Sequence, residues 1–257
     1  TEDGNNLPYG GTNDTHNGGT LKYVRVEYAG KKLTDNTSEM NGFSFYSVGS
    51  GTVLENLVAY KGADDGFEFY GGTVSAKNLI SYGNFDDSFD WQDGWRGDAN
   101  TNWYAYQVVT GNYGMEIEAK SINNAFGPKV SNITLTRAAG TVTEGGSSAN
   151  EFDAIQFKKE GNGEYTNVVI SGYTTSNTTL TATAVRIQDK STNDNQVTGG
   201  KIKMLNVKIN DGTSQFAGVG TTFTVDFKGN YTTSTTATGA TLTAGAWAIV
   251  DGVSLIK

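Results

Sequence analysis

Residues 60–72 read YKGADDGFEFYGG, and residues 82–94, which begin 22 positions later, read YGNFDDSFDWQDG. A repeat of about 20 residues, built from short apolar runs and glycine turns, is typical of a solenoid, in which each turn lies over an equivalent turn. The sequence therefore predicts stacked coils that place acidic residues above one another. The aligned pairs are Asp64 with Asp86, Asp65 with Asp87, Phe67 with Phe89, Glu68 with Asp90, Phe69 with Trp91 and Gly72 with Gly94.

Two strand patterns alternate along the chain. In the first, Asn precedes an apolar-x-apolar trio, and in the second a small residue precedes such a trio. Because side chains alternate between the faces of a strand, the apolar pair should point into the core and the middle residue outward. The first pattern starts at Tyr23, Asn56, Asn78, Trp103, Asn132, Asn167 and Asn206, with an aromatic residue in the Asn place in two of them; the second starts at Gly42, Gly66, Ser88, Gly114, Ala154 and Ala184.

These patterns predict an all-β fold, a right-handed parallel β-helix of about seven coils. Strands of one type recur only after a whole coil, and no two-residue hairpin turn joins them, so equivalent strands should stack in parallel. The 34 Gly and 2 Pro supply turns but few helical runs. We expect one domain over residues 1–257, with regular coils at 9–220 and a Thr-rich terminal segment at 221–257, whose strand at 247–250 closes the open end of the helix.

The repeated Asn is interpreted as architecture rather than chemistry. A buried Asn at a tight turn satisfies backbone groups with its amide, and amides in consecutive coils can bond to one another as a ladder.

Composition argues against several functions. The 19 basic and 27 acidic residues give a net charge of -8, which repels a nucleic-acid backbone. No apolar stretch approaches the roughly 20 residues that span a bilayer. With no Cys and the single His16 in a Gly/Asn-rich loop, neither a zinc site nor a Ser-His-Asp triad is supported. The chain starts at Thr1 without Met or a signal-peptide pattern, so we expect it to be part of a larger exported precursor.

The outward residues of the second pattern form two lines, which together we call the polar stripe. The stripe is aromatic at one end, acidic in the middle and basic at the other end, as an extended polar ligand would require. One line contains Ser44, Glu68, Asp90, Glu116, Gln156 and Arg186, and the other contains Tyr46, Tyr70, Gln92, Glu118, Lys158 and Gln188.

The carboxylates in the middle of the stripe repel one another. Neighbouring coils lie about 4.8 Å apart, so each adjacent pair costs about 3.5 kcal/mol at an effective dielectric near 20. A bound cation, protons held by raised pKa values, or basic side chains such as Lys61, Arg96 and Lys120 can relieve this repulsion. Ca²⁺ takes six to eight oxygen ligands, whereas an Asp-Asp pair before a strand can instead cap the turn. The candidate ligands are Asp64, Asp65, Glu68, Asp86, Asp87 and Asp90.

The coil motifs resemble a known group of proteins. The strings GGTLKYVRVEYAG, NLVAYKGADDGFEFYGGTV and NLISYGNFDDSFDWQDGWRG, followed by YGMEIEA and FDAIQFKKEG, resemble secreted or surface β-helix repeat proteins of Bacteroidetes-type bacteria, which share the pectate-lyase-like superfold. The resemblance covers roughly residues 9 to 190 and is weaker in the Thr-rich tail. It implies a protein that is extracellular or on the outer cell surface, with no settled activity.

A catalytic alternative uses the same stripe, with Glu68, Asp90 and Glu116 as acids. Neighbouring-coil carboxylates match the roughly 5 Å separation of retaining glycosidases, whereas Glu116 and Glu118, two apart on one strand, lie about 6.6 Å apart, at the low end of the inverting range. Geometry permits both mechanisms. Polygalacturonases and pectate lyases have this fold, and the pectate-lyase resemblance implies an Arg base, for which Arg186 is the candidate. However, the Asn-Thr-Asp and Gly-His-Gly signatures of polygalacturonases are absent.

Three hypotheses for the function follow. The leading one is an exported β-helix that binds a polysaccharide or surface glycan along the stripe, with Ca²⁺; the others are a polysaccharide lyase or glycoside hydrolase, and a structural surface stalk. Aromatic faces can cover the C–H patches of sugar rings while carboxylates and amides bond hydroxyls. The candidate ligand contacts are Tyr46, Tyr70, Trp95, Arg96, Glu118 and Arg186.

Overall fold

The structure is a computed structural model that describes residues 1, 7–30, 40–120, 127–144, 150–174, 180–218 and 223–257. Its strands are numbered β1 to β17 in chain order, and β1 to β15 form two long parallel sheets to which successive strands contribute alternately. Over the described residues this is the parallel β-helix of about seven coils that the sequence predicts.

The first sheet has the strand order β1-β3-β5-β7-β9-β11-β13-β15 and the second has the order β14-β12-β10-β8-β6-β4-β2. The first sheet consists of β1 (Thr20–Glu27), β3 (Val53–Tyr60), β5 (Ala76–Tyr82), β7 (Asn100–Gln107), β9 (Lys129–Arg137), β11 (Gly163–Ser171), β13 (Ile202–Ile209) and β15 (Tyr231–Thr233). The second consists of β2 (Phe43–Tyr46), β4 (Phe67–Tyr70), β6 (Phe89–Gln92), β8 (Met115–Glu118), β10 (Ile155–Lys158), β12 (Thr183–Ile187) and β14 (Ser214–Gly218).

The short helices of the described residues lie outside the two sheets. A one-turn α-helix (Lys190–Thr192), capped by the Asp189 side chain, runs into a π-helical turn (Asn193–Val197). A 3₁₀ turn (Ala246–Ala248) precedes a small antiparallel pair, β16 (Ile249–Val250) and β17 (Val253–Ser254). None of the helices in the described ranges is long and apolar enough to cross a membrane.

A residue in the left-handed backbone region divides each long strand of the first sheet. Asn56 and Asn78 have φ values of 56° and 58°, and the equivalent residues of β1, β7, β9, β11 and β13 adopt the same conformation. The left-handed residue shifts the alternation of side chains by one position. Leu54, Leu57 and Ala59 all face the core as a result, although their spacing is not a constant two residues.

The Asn amides form the predicted ladder. Asn78 Nδ2 donates to Asn56 Oδ1 at 2.8 Å, and Asn102 Nδ2 donates to Asn78 Oδ1 at 3.0 Å. In β7 the Asn place belongs to Asn102, whereas Trp103 pairs with Leu79 and lies in the core. The prediction that Trp103 takes the Asn place is therefore wrong by one residue, because the Asn that precedes it fits the left-handed conformation better.

The core is a stack of rings from successive coils. Phe43, Phe67 and Phe89 lie over one another, with ring centroids 4.9 and 5.7 Å apart. Trp103 extends this stack at 4.8 Å from Phe89. Vertical stacking of this kind fixes the register between coils, since a shift of one residue would turn the rings to the outer face.

The C-terminal part of the chain contributes in two places. Residues 223–231 place Val225 and Phe227 in the core beside the last coils. Residues 238–257, here called the C-terminal strap, instead cross the outer face of the first sheet and cover an apolar patch around Val58 and Ile80. The prediction that residues 247–250 close the open end of the helix is wrong, because the outer face of the first sheet carries apolar side chains that these residues bury.

Candidate functional site

The structure brings the central residues of the polar stripe into one line. Glu68 pairs with Ser44 on one side and with Asp90 on the other, and Asp90 pairs with Glu116. Gln156 and Arg186 continue the same line through β10 and β12. The predicted order of these six residues across six coils is confirmed.

The stripe is nevertheless not an open surface. Glu68 is 1% exposed, and Asp90, Gln92 and Glu118 are also buried, although their side chains lie outside the aromatic core. Tyr9, from a segment far away in sequence, packs over part of the stripe and lies 5.9 Å from Tyr70 between ring centroids. Only some of the stripe is therefore accessible to a ligand, contrary to the prediction that a ligand binds along the stripe.

Lysine side chains neutralise one end of the acidic segment. Lys158 donates to Glu116, and its Nζ lies 3.5 Å from Glu118 Oε2. Lys159 approaches Glu118 at 2.8 Å, and Lys120 approaches it at 3.8 Å. Of the basic residues that the sequence suggested for this purpose, Lys120 thus contacts the stripe.

The other two basic residues that were suggested lie elsewhere. Lys61 lies over the ring of Tyr60, on the other sheet. Arg96 binds Asp14 at 2.7 Å. Lys61 and Arg96 thus contact residues outside the acidic middle of the stripe.

The remaining acidic residues form two groups that share Asp65. In one group, ligand oxygens of Asp65, Glu68 and Asp90 all lie within 4.8 Å of one another. In the other, the same is true of Asp64, Asp65 and Asp86. Five of the six candidate Ca²⁺ ligands thus meet in two adjacent clusters, and Asp87, the sixth, lies beside them.

Asp65 and Asp87 also have the turn-capping role that was the alternative to metal binding. Asp65 Oδ1 accepts the backbone N–H of Asp87 at 2.9 Å, and Asp87 Oδ1 accepts that of Tyr113 at 2.6 Å. Asp153 Oδ1 accepts the N–H of Thr183 in the same way at 2.6 Å. Each carboxylate therefore joins one coil to the next, and capping uses only one oxygen of each.

Burial raises the pKa of these carboxyls. The pKa of Asp86 rises to about 8 because its side chain is removed from water and lies beside Asp64 and other carboxylates. Burial, together with the neighbouring acids, likewise raises the pKa values of Asp65, Asp87 and Asp90 well above the usual range. Without a cation, the raised pKa of Asp86 keeps its carboxyl largely protonated at neutral pH.

The cluster has the donor set that a hard cation prefers. Glu68 accepts hydrogen bonds from Asn41 at 2.6 Å, from Gln92 at 2.7 Å and from the hydroxyl of Tyr70. By contrast, Asp90 Oδ1 and Gln92 Oε1 are buried oxygens without a hydrogen-bond partner in the described part of the chain. Buried acceptors without donors are costly, and Ca²⁺ coordinates carboxylate and amide oxygens. The residues present therefore fit a Ca²⁺ ion.

Four of the six predicted ligand contacts are buried, namely Tyr70, Trp95, Glu118 and Arg186. Trp95 is 1% exposed, stacks on Phe69 with ring centroids 4.4 Å apart, and donates from Nε1 to the carbonyl of Val74. The structure does not favour the prediction that Trp95 contacts a ligand, because glycine turns on both sides fold its ring into the core. Arg186 is also buried and forms an ion pair with Asp153 at 2.9 Å.

The burial of the stripe bears on the catalytic alternative as well. A sugar cannot contact Glu68 or Asp90 while both are buried. Arg186 is already ion-paired with Asp153. Glu116, which is partly exposed, is held by Lys158. The geometry therefore does not favour Glu68, Asp90 and Glu116 as catalytic acids, nor Arg186 as a base.

An accessible cleft of about 830 Å³ lies at the aromatic end of the stripe. The rings of Tyr9 and Tyr46 line it, with centroids 5.0 Å apart, and Arg96 and Asp93 form its polar part. Tyr70 lies below, stacked on Tyr46 at 4.2 Å. The glycines of the neighbouring turns, including Gly71 and Gly72, leave the cleft open.

Sequence reasoning found Tyr46 and Arg96 but missed other residues of the site. Tyr9 and Asp14 come from the segment before the first strand, which has no repeat pattern, and Asn41 precedes β2. The sequence indicated these residues only by their position outside the repeat, because residues outside a periodic pattern are those that cover a solenoid. Asp93 was detectable, because it directly follows the stripe residue Gln92.

Comparison with models of known protein families identifies a match that covers most of the chain. The family model described as a pectate-lyase like beta helix domain matches residues 1–250. No curated protein and no solved structure shows significant similarity to this chain.

Proposed function

The chain belongs to the pectate-lyase-like β-helix family, and from this membership and the cleft geometry we propose that it binds a polysaccharide in the cleft at the aromatic end of the polar stripe. The observation that carries the proposal is the meeting of the Tyr9 and Tyr46 rings with Arg96 and Asp93 around one cleft. The protein acts outside the cell, at the outer surface, where polysaccharides are available.

The lining of the cleft suits a sugar. Tyr9 is 39% exposed, so its ring can cover the C–H face of a pyranose, while its hydroxyl donates to Asp93. Arg96 binds the exposed carboxylate of Asp14, which is the kind of group that an acidic sugar presents. A uronate carboxylate in the place of Asp14 would keep the same ion pair.

The proposal also includes a Ca²⁺ ion next to this cleft. Asp65, Glu68 and Asp90 would hold it, with Gln92 Oε1 as a further oxygen. When bound, the ion neutralises the buried carboxylates. Glu68 in turn accepts the hydroxyl of Tyr70, and the ring of Tyr70 supports Tyr46. An ion that holds Glu68 in place therefore also holds the rings of Tyr70 and Tyr46 in place, and in this way Ca²⁺ assists sugar binding.

Binding to a polysaccharide array, with and without a chelator, tests the proposal. Tyr46→Ala and Arg96→Gln should each weaken retention of the bound polysaccharide on the order of tenfold, since each removes one stacking or ion-pair contact. Tyr28→Ala is the matched control, because Tyr28 is an exposed tyrosine outside the cleft. If no polysaccharide is retained, or if both cleft variants bind like the unmodified protein, the proposal fails and the stalk hypothesis is favoured.

Thermal melting tests the cation separately. Ca²⁺ at 100 times its Kd stabilises a protein by about 2.7 kcal/mol, which raises the melting temperature of a chain of this size by roughly 5–10 °C. Asp90→Asn should abolish this rise, and in EDTA it should melt above the unmodified protein because a neutral amide replaces a buried acid. Glu164→Gln, which alters a surface residue paired with Lys203, should respond to Ca²⁺ normally. A melting temperature that Ca²⁺ does not change would eliminate the metal site.

A further inference from the structure

A second groove, separate from the cleft, lies on the outer face of the first sheet. It has a volume of about 610 Å³ and runs between the Asn ladder and the C-terminal strap. Asn56, Asn78 and Asn102 form its floor, so it follows the solenoid axis over three coils. We call it the asparagine groove.

The ladder leaves hydrogen-bonding capacity along this floor. Each Asn amide has two N–H donors, and in Asn78 and Asn102 the ladder bond to the preceding coil uses one of them. Because the three residues share the left-handed conformation, their amides present the same groups at each coil, about 4.8 Å apart. The floor is therefore a regular row of neutral polar groups.

The equivalent Asn of a later coil already binds an extended polar chain. Asn167 Oδ1 accepts the backbone N–H of Thr238 at 2.8 Å, and its Nδ2 donates to the Thr238 hydroxyl at 3.1 Å. At Asn102 the strap makes one such bond, from Thr241 N at 3.2 Å. Beyond this point the strap moves aside towards Trp247 and becomes the wall of the groove. The ladder amides thus bond hydroxyl and amide groups of a chain laid along them.

Two aromatic side chains line the groove together with the ladder. Tyr23, at the Asn position of β1, is 65% exposed, and Trp247 of the strap is partly exposed. Among the described residues that line the groove, Glu55 is the charged one, and it is paired with Lys22 at 2.7 Å. A row of amides with aromatic rings and little free charge is the lining that uncharged sugars require.

We propose that the asparagine groove binds an uncharged, extended oligosaccharide, lying along the solenoid axis with its hydroxyls on the Asn amides and a ring against Tyr23 or Trp247. This site is independent of the acidic stripe and of Ca²⁺. The protein then has two glycan sites of different chemistry, one of which contains Arg96 and the other of which is neutral.

Calorimetric titration of the full chain in EDTA with cellohexaose, xylohexaose and mannohexaose tests this site. At least one of these uncharged probes should bind saturably, and Tyr23→Asn should weaken that binding on the order of tenfold by removing the stacking ring. Tyr23→Asn is expected to fold, because Asn occupies the equivalent left-handed position in the next coils. Trp247→Ala is a second variant that tests the opposite wall.

Two controls separate this site from the cleft. Tyr46→Ala, which alters the cleft, and Tyr28→Ala, which alters an exposed ring outside both sites, should leave binding of the uncharged probe unchanged. The proposal is overturned if none of the three probes saturates, or if Tyr23→Asn and Trp247→Ala both bind normally. It is also overturned if a peptide with the sequence of residues 234–243 displaces the sugar and binds more tightly, since the groove would then be a peptide site.

Discussion

The asparagine of each long strand occupies a backbone conformation that most residues avoid. At φ near 57° the Cβ atom crowds the following carbonyl, which costs roughly 1–2 kcal/mol for an ordinary residue and much less for Asn or Gly. Asn adds the amide that bonds to the next coil. The same position therefore turns the strand, shifts its inward face and joins the coils.

Substitutions at Asn78 should separate these contributions. Asn78→Ala loses two ladder bonds and introduces left-handed strain, so we expect it to lower the free energy of unfolding by about 2–4 kcal/mol. Asn78→Gly loses the same bonds without the strain and should be about 1 kcal/mol less damaging. Urea denaturation measures both values. Equal losses, or a greater loss for Gly, would contradict the view that backbone strain contributes.

Single residues also show what the sequence could reveal. The stacking of Phe67 on Phe89, and hence the position of Glu68 beside Asp90, could be predicted because aligned repeats must superpose in a solenoid. The burial of Glu68 could not, since it depends on side chains such as Tyr9 and Asn41, which lie outside the repeat. Trp95 was misread for the same reason, because nothing local to its loop indicates that the loop folds inward.

At the scale of the elements, β4, β6 and the turns before them form an acidic unit whose stability depends on pH. Asp65, Asp86, Asp87 and Asp90 have raised pKa values in the folded protein, so the folded state binds more protons than the unfolded chain at neutral pH. The free energy of unfolding therefore falls as pH rises from the ordinary carboxyl range through about 8.

In EDTA, the melting temperature should be higher at pH 5.5 than at pH 8.5. The lowered pKa values of Asp189 and Asp211 act in the opposite direction, but only below the ordinary carboxyl range, so they do not affect this window. Asp86→Asn keeps the oxygen that accepts from Asn112 and should reduce the difference between the two pH values. Ca²⁺ should stabilise the protein more at pH 8.5, where fewer protons compete for the carboxylates. A melting temperature that rises with pH in EDTA would contradict the prediction.

At the scale of the whole molecule, the C-terminal strap counteracts a weakness of solenoids. In a repeat array each coil contacts only its neighbours, so terminal coils can unfold alone. The strap connects distant coils: it bonds Asn167 of β11 through Thr238, and its Ile249 carbonyl accepts from Arg25 of β1 at 2.8 Å. The sequence did not predict this path, because a Thr-rich tail without a repeat pattern gives no indication of which face it covers.

Charges placed on the buried side of the strap should uncouple the coils. Val250 and Leu255 are buried against the patch that includes Val58, Ile80 and Tyr104, so Val250→Asp or Leu255→Asp should cost about 2–4 kcal/mol. Released from the strap, β1 should lose hydrogen-exchange protection before the central strands, and the denaturant transition should broaden with a smaller m-value.

Val253→Asp is the matched control for this experiment, because Val253 lies in the same small hairpin but is exposed. It should leave both the transition and the exchange pattern unchanged. If Val250→Asp lowers stability while the transition stays equally sharp and β1 stays protected, the strap adds buried area but does not couple the coils. If instead the strap makes the stacked coils one cooperative unit, Val250→Asp should both broaden the transition and remove the protection of β1. The reason is that contacts between neighbouring coils do not span the distance that the strap spans.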